Sequence, residues 1–109
     1  MNDGWSKEEL RAAVETYIEM QRKDRAGDPF TKKRYYEDLA ARFRRSEKAF
    51  EFRMQNISSV LALMGRSWLS GLKPKSNVGT NVAADIKALI GEVEGTPDLS
   101  NSEGNGSRI

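Results

Sequence analysis

Six cations in the middle of the chain are the residues whose type and spacing invite chemistry. Lys32, Lys33 and Arg34 are consecutive, and Arg66, Lys73 and Lys75 recur in a later stretch punctuated by glycine and proline. Ammonium groups hold phosphate oxygens as point charges, and guanidinium groups hold them as a bidentate fork. These six are therefore the candidates for contact with a polyanion such as DNA, with Tyr35 beside the first group as a further contact residue. The charge distribution agrees. Net charge is only +2, but residues 31–75 carry 11 basic and 4 acidic groups, against 5 and 7 in residues 1–30 and 2 and 5 in residues 76–109. A basic centre between acidic ends favours a polyanionic partner, although solvated helix faces carry such charge too.

The chain contains no histidine and no cysteine. Ser-His-Asp and Cys-His catalysis, ordinary zinc sites and a disulfide framework are thereby excluded. No compact group of Asp and Glu suggests carboxylate-only metal chemistry. The expectation is a non-catalytic chain with no metal and no cofactor. No apolar run approaches the roughly 20 residues that a membrane span needs, and the opening MNDGWSKEEL has no apolar signal region. A cytoplasmic protein without a membrane partner is expected.

Helices must position the cations. Ser6 with Glu9 forms a capping box, and Trp5 stands where a hydrophobic staple would meet Leu10. Leu10, Val14, Tyr17, Ile18 and Gln21 then follow helical spacing to about Arg25, and Gly27 with Asp28-Pro29 ends the helix. A second helix runs from Thr31 as cap to about Arg44, with Tyr36, Leu39, Ala40 and Phe43 inward. Its first turn holds Lys32, Lys33 and Arg34, which oppose the helix dipole at a cost of a few tenths of a kcal/mol each. A nearby anion would relieve that cost.

The third helix begins at Ser46 and is apolar over most of its circumference. Phe50, Met54, Ile57, Leu61 and Met64 cluster on one side, Phe52, Val60 and Leu63 cover much of the rest, and Glu51, Gln55, Ser58 and Ala62 form a solvent strip. Such a helix is the one others pack around. Arg53 and Asn56 fall on an otherwise apolar side, so both should be partly buried and need partners. Asn56 is expected to bind the backbone of the following loop and Arg53 a carboxylate or helix-terminal carbonyls; the alternative is that both point into a ligand groove.

Residues 65–79 form a loop longer than a small domain leaves without purpose. Trp68, Leu69, Leu72 and Val78 are its expected anchors, Gly65, Gly71 and Gly79 permit tight turns, and Pro74 stiffens it. Arg66, Lys73 and Lys75 are left facing outward. A fourth helix spans Thr80 or Asn81 to Ile90, with Gly91 as cap. Residues 92–109 are polar and rich in Gly, Ser and Asn, the composition of a disordered tail.

The run Glu51-Phe52-Arg53-Met54-Gln55-Asn56-Ile57-Ser58, followed by Val60-Leu61, Gly65, Trp68, Gly71-Leu72-Lys73-Pro74 and Asn77-Val78-Gly79, resembles the N-terminal head domain of McrA-like HNH restriction endonucleases. Trp5-Ser6, Glu8, Glu9, Leu10 and the Tyr17 region resemble that domain's start, so the likeness covers roughly residues 5–90. It implies a head domain from a bacterial defence system that cuts modified DNA, without the histidine-dependent nuclease. Partners implied are DNA and a nuclease domain or other protein.

The fold expected is all-α: residues 1–91 as a single-domain bundle of about four helices packed around a central third helix, a long structured loop between helices 3 and 4, and a disordered tail at 92–109. The function expected is a non-catalytic accessory module of a modification-dependent restriction endonuclease that contributes DNA backbone contact or positioning. The alternative is a protein-interaction module, with a possible homodimer, that touches no nucleic acid.

Overall fold

The computed structural model describes residues 4–99, with side chains described for 4–95. Its first helix, α1 (Lys7–Ala26), is set by local chemistry at both ends. Ser6 Oγ accepts from the Glu9 amide at 3.0 Å, and the Ser6 amide donates back to Glu9 Oε1 at 2.9 Å. At the far end Gly27 adopts the left-handed conformation at φ 76°, and its amide and that of Asp28 satisfy the carbonyls of Asp24 and Lys23. Trp5 is buried and meets Phe50 edge-on at 5.0 Å, so it is a structural pin.

Helix α2 (Lys32–Phe43) follows, with Thr31 in the cap position but without a side-chain capping bond. Its first turn has no acidic residue, so its dipole is opposed by the three cations. It ends at Arg44, a non-glycine residue at φ 60°, whose amide closes on the Ala40 carbonyl. Two residues later Ser46 Oγ accepts from the Ala49 amide and starts α3 (Glu47–Leu63). Gly65, at φ 74°, lets the chain turn away there, with the Gly65 amide on the Ala62 carbonyl.

The helices are held together by one apolar core. Tyr17, Phe50, Met20, Met54, Ile57, Ile86 and Leu89 are among its fully buried side chains, contributed by α1, α3 and α4 (Thr80–Leu99). Burying each large apolar side chain contributes about 1.5–3 kcal/mol. The fold is all-α as expected, and no strand occurs among the described residues. The third helix is central as expected, and α1 shares that position with it. Each touches all three other helices, whereas α2 and α4 do not touch one another.

Three expectations are corrected. Ser58, assigned to a solvent strip, is fully buried, because α1 packs on that side and Tyr17 bonds its hydroxyl at 2.7 Å. Leu63, assigned to the apolar surface, is 82% exposed, since it occupies the last position of α3 at the rim of the α4 contact. The fourth helix, expected to stop at Gly91, runs Thr80–Leu99, so residues 92–95, expected in the tail, are helical. Val93 packs against the core, while Arg11 donates to Glu92 at 2.9 Å and Arg66 grips Glu94. These contacts offset the roughly 1 kcal/mol that a mid-helix glycine costs. Residues 100–109, the rest of the expected tail, lie outside the described residues.

Arg45 closes the structure at the Trp5 end. Its guanidinium lies 4.3 Å from the Trp5 ring and donates to both oxygens of Glu9. That bond holds the Glu9 carboxyl below its usual 4.5, against the opposing effect of burial and with help from the Ser6 amide. A carboxyl depressed in the folded state stabilises at pH above its unfolded value and loses that contribution as pH falls through its folded value. Glu9→Gln should therefore cost about 1.5–3 kcal/mol near neutral pH. Urea unfolding across a pH series should show the gap from the unsubstituted protein closing below pH 4.5.

Candidate nucleic-acid interface

The loop at 65–79 owes its shape to bonds made by its main chain. The Arg66 amide bonds the Leu61 carbonyl at 2.9 Å, and the Ser67 carbonyl accepts from Gln21 Nε2 at 3.1 Å. The Leu69 amide donates to the Tyr17 hydroxyl at 2.8 Å. Burial pushes the Tyr17 phenol up, so it stays protonated. Leu69 and Leu72 are buried, and the Leu72 amide turns back to the Leu69 carbonyl. Further on, the Lys75 amide donates to the Gln55 carbonyl at 3.1 Å while the Lys75 carbonyl accepts from Asn56 Nδ2 at 2.9 Å.

Asn56 is thus the brace for the loop, fully buried and also accepting from Arg53 Nη1 at 3.0 Å. Among the contacts of Arg53 are this amide and the Trp5 ring, 4.7 Å away. Gly71 makes the one tight approach. At φ 87° it lies under Lys32, whose Nζ would stand 3.0 Å from any Cβ there. One anchor and one turn are corrected. Trp68 is 39% exposed, because Leu69 and Leu72 fill the core position instead. Gly79 does not take a left-handed turn; its carbonyl accepts the Ala83 amide and so leads into α4. Pro74 is half-buried between the exposed Lys73 and Lys75.

The six cations divide into two sets. Lys32, Arg34, Lys73 and Lys75 make no ion pair among the described residues, and all but the half-buried Lys32 are exposed. Lys32 lies on the Gly71 turn, which brings the first turn of α2 to the part of the loop that carries Lys73. No such contact joins Arg34 or Lys75 to this pair. The other two are engaged. Lys33 Nζ is 3.1 Å from Glu47 and 3.7 Å from Glu37. Arg66 does not simply face outward: its two terminal nitrogens hold both oxygens of Glu94 at 2.9 and 2.6 Å.

Sequence reasoning overlooked the end of α1. Arg22, Lys23 and Arg25 sit there, and Gln21 ties that turn to the loop at Ser67. They were hidden in the net-negative count for residues 1–30; the signal available was their crowding into the final turns of a helix, where cations suit the dipole. Tyr35 is less free than expected. Its hydroxyl donates to Glu19 at 2.7 Å, Lys23 lies 5.4 Å over its ring, and Phe30 meets it edge-on. These contacts place the last turns of α1, the first turns of α2 and the first half of the loop at one end of the bundle. Residues 21–34 and 66–75 together carry nine basic residues and two acidic ones.

Two of the surface depressions are formed by described residues. One, of about 370 Å³, lies between α2 and α3 and mixes Lys33, Lys48, Glu47 and Glu51. The Tyr36 hydroxyl beneath it is out of reach of solvent and has no hydrogen-bond partner, and burial pushes that phenol up to about 12. The other, of about 270 Å³, runs between Val60, Leu63 and Met64 on α3 and Ala83, Ala84 and Lys87 on α4. Among the described residues no three acidic side chains gather to hold a metal ion, and no helix is long and apolar enough to cross a membrane. Neither a family model, nor a curated protein, nor a solved structure matches this chain.

The loop's dependence on the Tyr17 hydroxyl can be measured. Tyr17→Phe leaves the Leu69 amide and Ser58 hydroxyl buried without that partner, at a cost of about 1–3 kcal/mol. The expected outcome is a lower urea midpoint together with faster hydrogen exchange at the Leu69 amide.

Proposed function

We propose that this chain is a non-catalytic module that holds the phosphate backbone of duplex DNA at its basic end. Its relation to McrA-like HNH restriction endonucleases, suggested by the motif in residues 51–79, would make it the positioning part of a defence nuclease system. The observation that carries the reading is the meeting of Lys32 with the Gly71–Lys73 part of the loop. It gathers cations from separate segments that have no carboxylate to neutralise them. Backbone contact is favoured over base reading because α3, the helix following the short α2–α3 turn, is buried along most of its length and has no face to lay in a groove.

Salt titration of binding to a random-sequence duplex tests this. Affinity should fall steeply with salt, and Lys73→Gln and Lys75→Gln should each reduce the log–log slope by about 1. Lys33→Gln should leave the slope unchanged, since Glu47 and Glu37 already neutralise that charge. Absence of binding at about 50 mM salt, or binding without a salt slope, overturns the proposal.

A second reading, a protein-interaction or dimerisation module, is favoured by Leu63. That side chain is 82% exposed beside the apolar groove, and Trp68 is 39% exposed. On this reading sedimentation of the chain gives a mass above the monomer that Leu63→Asp returns to one chain. A monomer at all concentrations overturns it.

A further inference from the structure

Glu94 lies beyond Gly91, in the part of α4 that composition assigns to a tail, yet it takes both terminal nitrogens of a candidate phosphate-binding arginine. We infer that Glu94 stands in for phosphate on Arg66, so that α4 masks one cation of the basic end until a polyanion displaces it. This rests on the backbone-binding reading above and assigns that site a means of regulation.

The geometry carries the inference in three ways. The pairing is fork to fork, Nη1 to Oε1 at 2.9 Å and Nη2 to Oε2 at 2.6 Å, so the carboxylate occupies the donors that a phosphate would use. The pair is open to solvent, with the two side chains 34% and 37% exposed, so an incoming anion can reach it and little stability is lost when it opens. Arg66 is also fixed independently of Glu94. Its amide bonds the Leu61 carbonyl and the adjacent Ser67 carbonyl accepts from Gln21, so its backbone keeps its place when the carboxylate leaves. Glu94, by contrast, is flanked by Gly91 and Gly95, which make that part of α4 intrinsically weak helix.

Neighbouring charge fits the same picture. The Arg66 bond holds the Glu94 carboxyl below its usual value, and the charge of Arg25 on α1 adds to the effect. Removal of that carboxylate would free the Arg66 guanidinium. Lys33 is a different case, since its partners Glu37 and Glu47 belong to α2 and α3 themselves.

A double-mutant cycle on the full chain separates masking from a general change of charge. Binding of a fluorescent random-sequence duplex is measured against salt for the unsubstituted chain, Glu94→Gln, Arg66→Gln and the double variant. Expected is a roughly threefold or greater gain in affinity for Glu94→Gln, and no gain when Glu94→Gln is made in the Arg66→Gln background. A gain of equal size in that background, or no gain at all, overturns the mask while leaving backbone binding intact. Failure of all four proteins to bind overturns the backbone-binding reading and the mask with it. A measurement on the unsubstituted chain needs no variant to fold: the Glu94 carboxyl should titrate closer to 4.5 when duplex is present. An unchanged titration in a duplex-bound sample overturns the mask.

Discussion

A phenol hydroxyl with no access to water is costly to bury unless it finds hydrogen-bond partners inside the protein, and Tyr17 finds them on two different elements. Ser58 of α3 lies on one side and the Leu69 amide of the loop on the other. One atom of α1 thereby fixes the height of α3 and the path of the loop. The same constraint acts at Asn56, whose amide group is fully buried and reaches the Lys75 carbonyl. Buried polar groups on α1 and α3 therefore prescribe where residues 65–79 must run. The apolar contacts of Leu69 and Leu72 then seal a course already specified by hydrogen bonds.

The surface follows from that course. With the loop drawn across α1 and α3, its Gly71 turn meets the start of α2, and only a residue without a Cβ admits Lys32 so closely. Cations from two segments far apart in the chain are thus neighbours at the bundle's end. Carboxylates then sort them by whether they are already neutralised. Glu47 and Glu37 claim Lys33, Glu94 claims Arg66, and Lys32, Arg34, Lys73 and Lys75 keep their charge uncompensated among the described residues.

Much of this architecture was legible in the sequence wherever a local rule decided the outcome. The Ser6–Glu9 capping box, the Gly27 stop, the Ser46 cap and the Asn56 brace each depend on residues a few positions apart or on the need to satisfy a buried amide. What local rules could not supply was the identity of distant partners. Ser58 looks like a surface residue until Tyr17 arrives from α1, and Leu63 looks like core until the limit of the α4 contact is known. Residues 92–95 have the composition of a tail, and Arg11, Arg66 and the core contact of Val93 reveal why helix persists there. Helical periodicity reports which way a side chain points, not what stands opposite.

The loop's attachments run through its backbone: the Arg66, Leu69 and Lys75 amides and the Ser67 and Lys75 carbonyls. The main chain of every residue type except proline offers these same groups. Outside the buried Leu69 and Leu72, the core-packed Val78 and the Gly65 and Gly71 turns, side chains along this segment are therefore free to vary without disturbing its path. The segment behaves as a mounting rail, on which the outward residues are exchangeable fittings. Related chains could change what this end of the bundle recognises by point substitution alone, with no cost to the frame that presents it.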